Sequence, residues 1–159
     1  GTRLRKLAEN KNLTATILAA AGMRRLGFSI ADNGTLTGTE VPPGLKALYL
    51  TTEEMLPCVG QAALGIEIRE NDPLLEQICE RLNDPITWNC VIAERAFLQQ
   101  MGGGCQTPVA ALAEIEENEI RLRAVSFLKE EVRRTEKRGL PETAEMLGIA
   151  AAEEINSTR

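Results

Sequence analysis

Hydrophobic and polar positions in the first third of the chain follow the order of an α/β unit. Residues 2–10 place Leu4, Leu7 and Ala8 on one face of a short helix and basic side chains on the other. The apolar run ATILAAAG (15–22) predicts a buried strand that ends in a glycine turn, and MRRLGF continues as a helical turn. This order favours a parallel or mixed sheet, with ligand-binding residues beyond the ends of its strands.

A connecting segment follows and carries two further patterns. Leu64, Ile66 and Ile68 alternate with glycine or charged residues, which is the period of two expected of a half-buried strand. Asp72–Pro73 then begins a helix that reaches about Leu82, because aspartate at the N-cap before a proline is a common helix start. The segment is therefore predicted to contain one strand and one helix.

The last part of the chain predicts a small α+β domain. Asp84–Pro85 repeats the helix-start signal, and the helix ends at the glycines of residues 102–104. TPVAALAEI, EIRLRAVSF (119–127) and the polar EEVRRTEKR predict three strands, the last at a sheet edge, and residues 141–155 predict a closing helix. Residues 85–159 thus predict a three-stranded antiparallel sheet with helices on one face.

Charge is unevenly distributed along the chain. The net charge is −5, but residues 1–30 hold six Lys or Arg against one Glu, so this segment carries +5 and the remainder −10. A basic patch on an acidic protein suits a small anionic ligand better than nucleic acid, with a solvated helix face as the alternative. No apolar run approaches the roughly 20 residues of a membrane span. Neither a nucleic acid nor a membrane is predicted as a partner.

Cysteine and histidine usage limits the chemistry. The chain has four cysteines in no C-x-x-C pair and no histidine, so no metal site is predicted and Ser-His and Cys-His catalytic pairs are excluded. Reduced cysteines and the charged start GTRLRKL predict a cytoplasmic protein. Glu94 and Arg95 are interpreted as an ion pair. Cys105 follows three glycines without a base to activate it, which leaves its role open.

Four segments, in order, carry a resemblance to a known family. GTRLRKL…ILAAAGMRRLG, LPCVGQAALGIEIR (56–69), AERAFLQQMGGGCQTPVA (93–110) and EMLGIAAAEEI are similar to four parts of the porphobilinogen deaminases, also called hydroxymethylbilane synthases. These parts are the second domain, the hinge, the cofactor-attachment signature and the last helix. A Gly-Gly-Cys alone would be a weak signal, whereas four segments in the expected order are a specific one.

The resemblance implies a C-terminal portion of a three-domain enzyme. Residues 1–57 would form the later part of domain two, a periplasmic-binding-protein-like domain that binds anionic substrate and cofactor. Residues 58–84 would form the hinge and a segment that completes domain one, and residues 85–159 the C-terminal domain with the cofactor cysteine. The family's essential aspartate belongs to the first domain. We therefore predict no catalytic residue here and expect the chain alone to be inactive.

The resemblance also implies a reaction and a set of binding residues. Four porphobilinogen molecules would be joined, with loss of ammonia, to a cysteine-bound dipyrromethane, and hydrolysis would release hydroxymethylbilane for tetrapyrrole and heme biosynthesis. Cys105 matches the cysteine that forms the thioether, and Gly103–Gly104 belong to the same signature. Arg3 and Arg25 match arginines that pair with the pyrrole acetate and propionate groups, and Gln61 matches a cleft-lining hinge position.

Two further expectations complete this interpretation. Ala62 stands where the family usually has glycine, which is expected to stiffen the hinge. The full-length protein is expected to be a monomer whose partners are porphobilinogen, the carboxylates of the pyrrole chain and its own N-terminal domain. The alternative to an enzyme is a non-catalytic module that binds small anions on a binding-protein-like fold.

Overall fold

The structure is a computed structural model that describes residues 1–104 and 106–157. It divides the chain into two units, Gly1–Thr51 and Thr52–Arg159, and each is described by itself.

The first unit contains two short helices and one small antiparallel sheet. Its elements, in chain order, are α1 (Thr2–Glu9), α2 (Ala20–Arg25), β1 (Ser29–Ile30) and β2 (Leu36–Thr37). Leu4, Phe28 and Leu36 form its buried core. The helix predicted at residues 2–10 is confirmed, and Leu4 is its buried residue.

The strand predicted at residues 15–22 is wrong. Residues 13–19 form no strand, Ile17 is 62% exposed, and residues 20–22 begin α2. A strand needs a neighbour for its backbone N–H and C=O groups, and no described segment pairs with residues 15–19. The described strands of this unit are antiparallel, so the expected parallel pairing is not formed within it.

The connecting segment fulfils one of its two predictions. The strand predicted from the alternation of Leu64, Ile66 and Ile68 is wrong, since these residues lie in no strand and Leu64 is 91% exposed. Here too no described residue offers a pairing partner. The helix is confirmed as α3 (Pro73–Leu82), and the Asp72 carboxylate accepts the Leu75 N–H at 3.2 Å, as an N-cap does.

The C-terminal domain has the predicted order of elements. These are α4 (Pro85–Gln100), β3 (Val109–Glu116), β4 (Glu119–Ser126), β5 (Arg133–Gly139), a 3₁₀ turn (Pro141–Thr143) and α5 (Ala144–Ser157). The sheet order is β3-β4-β5, both pairings are antiparallel, and the polar β5 is an edge strand as expected. The small α+β domain is therefore confirmed.

Helices α4 and α5 pack together and against one face of this sheet. Ile120 and Leu122 on β4 are fully buried there, as is Phe97 on α4. Gly148 on α5 lies directly against α4: a Cβ at this position would be 2.8 Å from the Ala96 Cβ and would also meet the Ala93 carbonyl oxygen. The helices thus approach backbone to backbone, which sets the position of α4 and of the loop that follows it.

Candidate cofactor site

The predicted site residues are distributed over both units. Arg3 lies on α1 and Arg25 ends α2 in the first unit, whereas Gln61, Gly103 and Gly104 belong to the second. Cys105, the predicted attachment residue, lies outside the described residues.

The two predicted binding arginines carry unengaged charge. Arg3 and Arg25 are both exposed, and within the described part of the chain neither guanidinium forms a hydrogen bond or an ion pair. By contrast, the neighbouring Arg24 guanidinium lies over the Tyr49 ring, 5.6 Å from its centroid. A guanidinium without a protein carboxylate keeps its planar set of donors for a carboxylate ligand.

Gln61 ends a tight turn, here named the hinge turn (Cys58–Gln61). The Gln61 N–H donates to the Cys58 carbonyl at 3.0 Å, and Val59 packs against the C-terminal core. Gly60 and Ala62, the residues on either side of Gln61, are both left-handed, with φ of +69° and +71°. Gln61 itself is exposed and is therefore accessible to a ligand.

Sequence interpretation missed the contact that holds this turn. The Gly60 N–H donates to Glu94 Oε2 at 2.6 Å, and the Ala113 N–H of β3 donates to Glu94 Oε1 at 2.9 Å. Glu94 is only 6% exposed, and its partners are backbone N–H groups, so the expected ion pair with Arg95 is wrong. The available signal was a carboxylate within the apolar face of α4, four residues after Cys90.

Burial and hydrogen bonding act on the Glu94 carboxyl in opposite directions. Loss of solvent raises its pKa, the N–H groups of Ala113 and Gly60 oppose this, and the Glu114 charge adds to the rise. The net effect is a pKa above the ordinary glutamate value. Cys90, one turn earlier on α4, likewise has a raised thiol pKa, chiefly from burial and then from Glu94.

The three glycines before Cys105 form a loop with a defined backbone, here named the glycine loop (Gly102–Gly104). Their φ angles are +103°, +51° and +129°, conformations that other residues rarely adopt. The Gly103 N–H donates to the Leu98 carbonyl at 2.9 Å and ends α4, and the Thr107 N–H donates to the Gly104 carbonyl at 3.1 Å. The positive φ angles of the three glycines therefore turn the chain in one defined direction after α4. The sequence predicted only that this loop would be flexible.

A second cluster of arginines lies on the face of the sheet away from the helices, and it is already neutralised. Arg121 pairs with Glu136 at 2.8 Å and with Glu116 at 3.1 Å, and Arg123 pairs with Glu114 at 2.7 Å and with Glu53. Arg121, Arg123 and their partners Glu53 and Glu136 line a shallow cavity of about 420 Å³, together with Arg134. Because carboxylates of the protein occupy their guanidinium groups, Arg121 and Arg123 are poorly suited to bind an anionic ligand.

Residues 1–104 and 106–157 contain neither a metal-binding cluster nor a membrane-spanning helix. In these ranges no three His, Cys, Asp or Glu side chains come close enough to hold a metal ion. No helix there has both the length and the apolar character that a membrane crossing needs.

Comparison with known families gives a consistent result over both units. Residues 1–77 match the family model "Porphobilinogen deaminase, dipyromethane cofactor binding domain", and residues 88–157 match "Porphobilinogen deaminase, C-terminal domain". The chain belongs to the porphobilinogen deaminase family. The resemblance carried by the four sequence segments is thereby confirmed.

Two bacterial porphobilinogen deaminases illustrate the relationship. The protein of Geobacillus kaustophilus (strain HTA426) is 46% identical over 124 residues, which are 78% of this chain and 36% of the relative. The protein of Geobacillus sp. (strain WCH70) is 46% identical over 118 residues, 74% of this chain and 33% of the relative. The chain thus spans about a third of the length of the curated porphobilinogen deaminases that it matches.

The predicted site residues fall within the matched regions. Arg3, Arg25 and Gln61 lie in the part that matches the cofactor-binding domain, and the glycine loop lies in the part that matches the C-terminal domain. Each of these residues therefore lies in a region that matches the porphobilinogen deaminase family, and the role of each residue stays a prediction.

Proposed function

We propose that this chain is part of a hydroxymethylbilane synthase. The carrying observation is the match of residues 1–77 to the cofactor-binding domain of porphobilinogen deaminases, followed by the match of residues 88–157 to their C-terminal domain. In the proposed reaction four porphobilinogen molecules are joined in turn, each losing ammonia as a carbon–carbon bond forms. Hydrolysis then releases hydroxymethylbilane, an intermediate of tetrapyrrole and heme biosynthesis.

The proposed cofactor is a dipyrromethane joined by a thioether to Cys105. When bound, it supplies the free pyrrole carbon to which the first porphobilinogen is added. The residues described here fit such a group: two unengaged arginines suit its carboxylates, and the glycine loop leads to Cys105 with little side-chain bulk. Cys105 acts in this proposal as an anchor, so it needs no histidine.

Arg3 and Arg25 are proposed to bind the acetate and propionate groups of the pyrroles. Each carboxylate can take two parallel N–H donors from a guanidinium, which fixes the ring in position as well as neutralising it. Gln61 is proposed to line the same cleft, where its amide can both donate and accept. No residue of this chain is proposed as catalytic. The aspartate that stabilises positive charge developing on the pyrrole nitrogen is assigned to the first domain of the full-length enzyme.

The domain assignment belongs to the same proposal. Residues 1–57 are proposed as the later part of a binding-protein-like domain two, residues 58–84 as the hinge and a segment that completes domain one, and residues 85–159 as the C-terminal domain. The full-length protein is proposed to be monomeric and cytoplasmic. The order of the matched family regions along the chain supports the domain assignment.

Mass spectrometry of the full-length protein tests the cofactor assignment. The peptide that contains Cys105 is expected to be heavier by two linked pyrrole units and to react with an acidic aldehyde reagent for pyrroles. Cys105→Ser is expected to abolish both signals and the synthase activity. Cys90→Ser, which changes a buried cysteine of α4, serves as the control and should retain the pyrrole adduct.

Two outcomes would contradict the proposal in different ways. A full-length wild-type protein with an unmodified Cys105 thiol would overturn the enzyme assignment, and carboxylate binding by that protein would favour the anion-binding module. A Cys105→Ser variant that still carried the pyrrole adduct would overturn the attachment site alone.

A further inference from the structure

Glu94 lies between two segments that are distant from it in sequence, the hinge turn and β3. Its Oε2 accepts the Gly60 N–H of the hinge turn at 2.6 Å, and its Oε1 accepts the Ala113 N–H of β3 at 2.9 Å. Glu94 itself lies on α4, so the hinge turn, α4 and β3, three parts of the second unit, meet at one carboxylate. Because Glu94 is only 6% exposed, water cannot readily reach its carboxylate to replace either N–H donor.

The hinge turn depends on contacts from outside itself. Gly60 and Ala62 both hold positive φ angles, and for Ala62 this conformation costs roughly 1–2 kcal/mol. The contacts that hold the turn to the domain are the packing of Val59 and the hydrogen bond from Gly60 to Glu94. The strained residue, Ala62, follows the turn directly, and a strained backbone persists only where its surroundings fix it. Glu94 is the polar group that fixes the backbone two residues before it, at Gly60.

Helix α4 connects this contact to the predicted attachment loop. Glu94 lies six residues before the end of α4 at Gln100, roughly 9 Å along the helix axis, and the glycine loop follows directly. One helix therefore holds the hinge turn near its middle and is followed by the glycine loop, which precedes Cys105 in the sequence.

We propose that Glu94 is a positioning residue that fixes the hinge turn to the C-terminal domain and so sets the direction of Gln61. The first part stands on the two hydrogen bonds, and the consequence for a pyrrole ligand rests on the proposed function. A carboxylate is suited to this role because both of its oxygens accept hydrogen bonds. Glutamine has nearly the same size but offers one acceptor oxygen and one NH₂ group, so it can satisfy only one of the two N–H donors.

Amide hydrogen exchange in the 159-residue chain tests the first part. In Glu94→Gln, exchange at Gly60 or Ala113 is expected to accelerate about tenfold or more, because a hydrogen bond to a charged group is lost. Amides in the core of α4 should retain wild-type protection, which separates this effect from unfolding. Glu153→Gln makes the same chemical change at an exposed site of α5 and should alter neither amide.

The outcome that would overturn the first part is wild-type protection of both amides in Glu94→Gln. Glutamine is nearly isosteric with glutamate, so the variant is expected to fold and the comparison of the two amides remains decisive.

A double-mutant cycle in the full-length enzyme tests whether Glu94 affects turnover of porphobilinogen by positioning Gln61. Glu94→Gln is expected to lower kcat/KM for porphobilinogen about tenfold while Cys105 retains its pyrrole adduct. Gln61→Ala should then cause little further loss in the Glu94→Gln background, because the two residues act as one unit. Additive losses would overturn the positioning role. A protein without synthase activity would instead reject the proposed function, and the exchange experiment would still decide whether Glu94 holds the turn.

Discussion

At the residue scale, Ala62 is the position where local sequence and backbone geometry disagree. Its φ of +71° lies in the left-handed region, which alanine adopts only at a cost, and the family usually has glycine there. We expect Ala62→Gly to stabilise the C-terminal unit by about 0.5–1 kcal/mol, since the relieved strain exceeds the added flexibility of the unfolded chain. Urea denaturation of the two proteins measures the difference.

A neighbouring alanine provides the control for this substitution. Ala63 has no positive φ, so Ala63→Gly gains nothing from relieved strain and is expected to destabilise by about 0.5–1 kcal/mol. If both glycine variants lost stability equally, the strain at Ala62 would be refuted.

Glu94 is expected to make stability depend on pH with a defined sign. Burial raises its folded-state pKa above the ordinary value of 4.5, so between these two values the folded chain binds more protons than the unfolded chain. The contribution of Glu94 to the free energy of unfolding is therefore fully present below pH 4.5 and is lost as pH rises through the raised pKa. Glu94→Gln removes this dependence.

Denaturation on both sides of the ordinary glutamate pKa checks this expectation. The stability of the wild type relative to Glu94→Gln should decrease as pH rises. The groups that face Glu94 also affect this pH dependence. The N–H groups of Ala113 and Gly60 lower the Glu94 pKa, and the Glu114 charge raises it. An increase with pH would mean that the N–H donors outweigh burial.

At the element scale, the contact between α4 and α5 depends on Gly148. A Cβ there would lie 2.8 Å from Ala96 Cβ and from the Phe97 backbone nitrogen, so neither helix can accommodate it without a shift. We expect Gly148→Ala to destabilise the domain by about 1–3 kcal/mol, despite the higher helix propensity of alanine. Thermal unfolding of the variant measures the loss.

Gly22 on α2 is the matched control for Gly148. It is also a helical glycine, but no atom lies within 4 Å of a Cβ added to it. Gly22→Ala is expected to leave the unfolding of the C-terminal domain unchanged. A neutral Gly148→Ala would show that the two helices can move apart at little cost.

The elements that the sequence predicted correctly are those whose signals are local. Aspartate followed by proline begins both α3 and α4, and in each the aspartate accepts an N–H three residues on. The strands of the C-terminal domain were likewise predictable, because each pairs with its neighbour in sequence. The apolar runs at 15–19 and 64–68 failed because a strand is defined by a partner, and the described residues provide none.

The site was predictable to a different degree. Cys105 and the other residues that match the family could be named from ordered motifs, because a sequence motif can be identified without knowing its three-dimensional surroundings. Glu94 could not, because its role arises from N–H groups 34 and 19 residues away. A buried carboxylate with only backbone partners leaves no complementary charge in the sequence to identify it.

At the scale of the whole molecule, packing is uneven along the chain. The core of the C-terminal domain joins two helices to a three-stranded sheet, whereas the buried core of the first unit consists of Leu4, Phe28 and Leu36. The chain spans about a third of its curated relatives, and its most exposed large apolar side chain, Leu64, lies in the connecting segment. The order of the motifs was therefore enough to predict the family, whereas the hydrophobic pattern was not enough to predict the fold of the first unit.

The hydrogen bond from Ala113 to Glu94 has a further consequence for self-association. Strand β3 forms one edge of its sheet, and an edge strand with free N–H groups can recruit a strand from another molecule. The Ala113 N–H is occupied by Glu94, so an incoming strand would have to displace a buried carboxylate before it could pair there. The opposite edge, β5, is protected by its charged residues. The carboxylate that holds the hinge turn thus also blocks strand pairing at this point of the β3 edge.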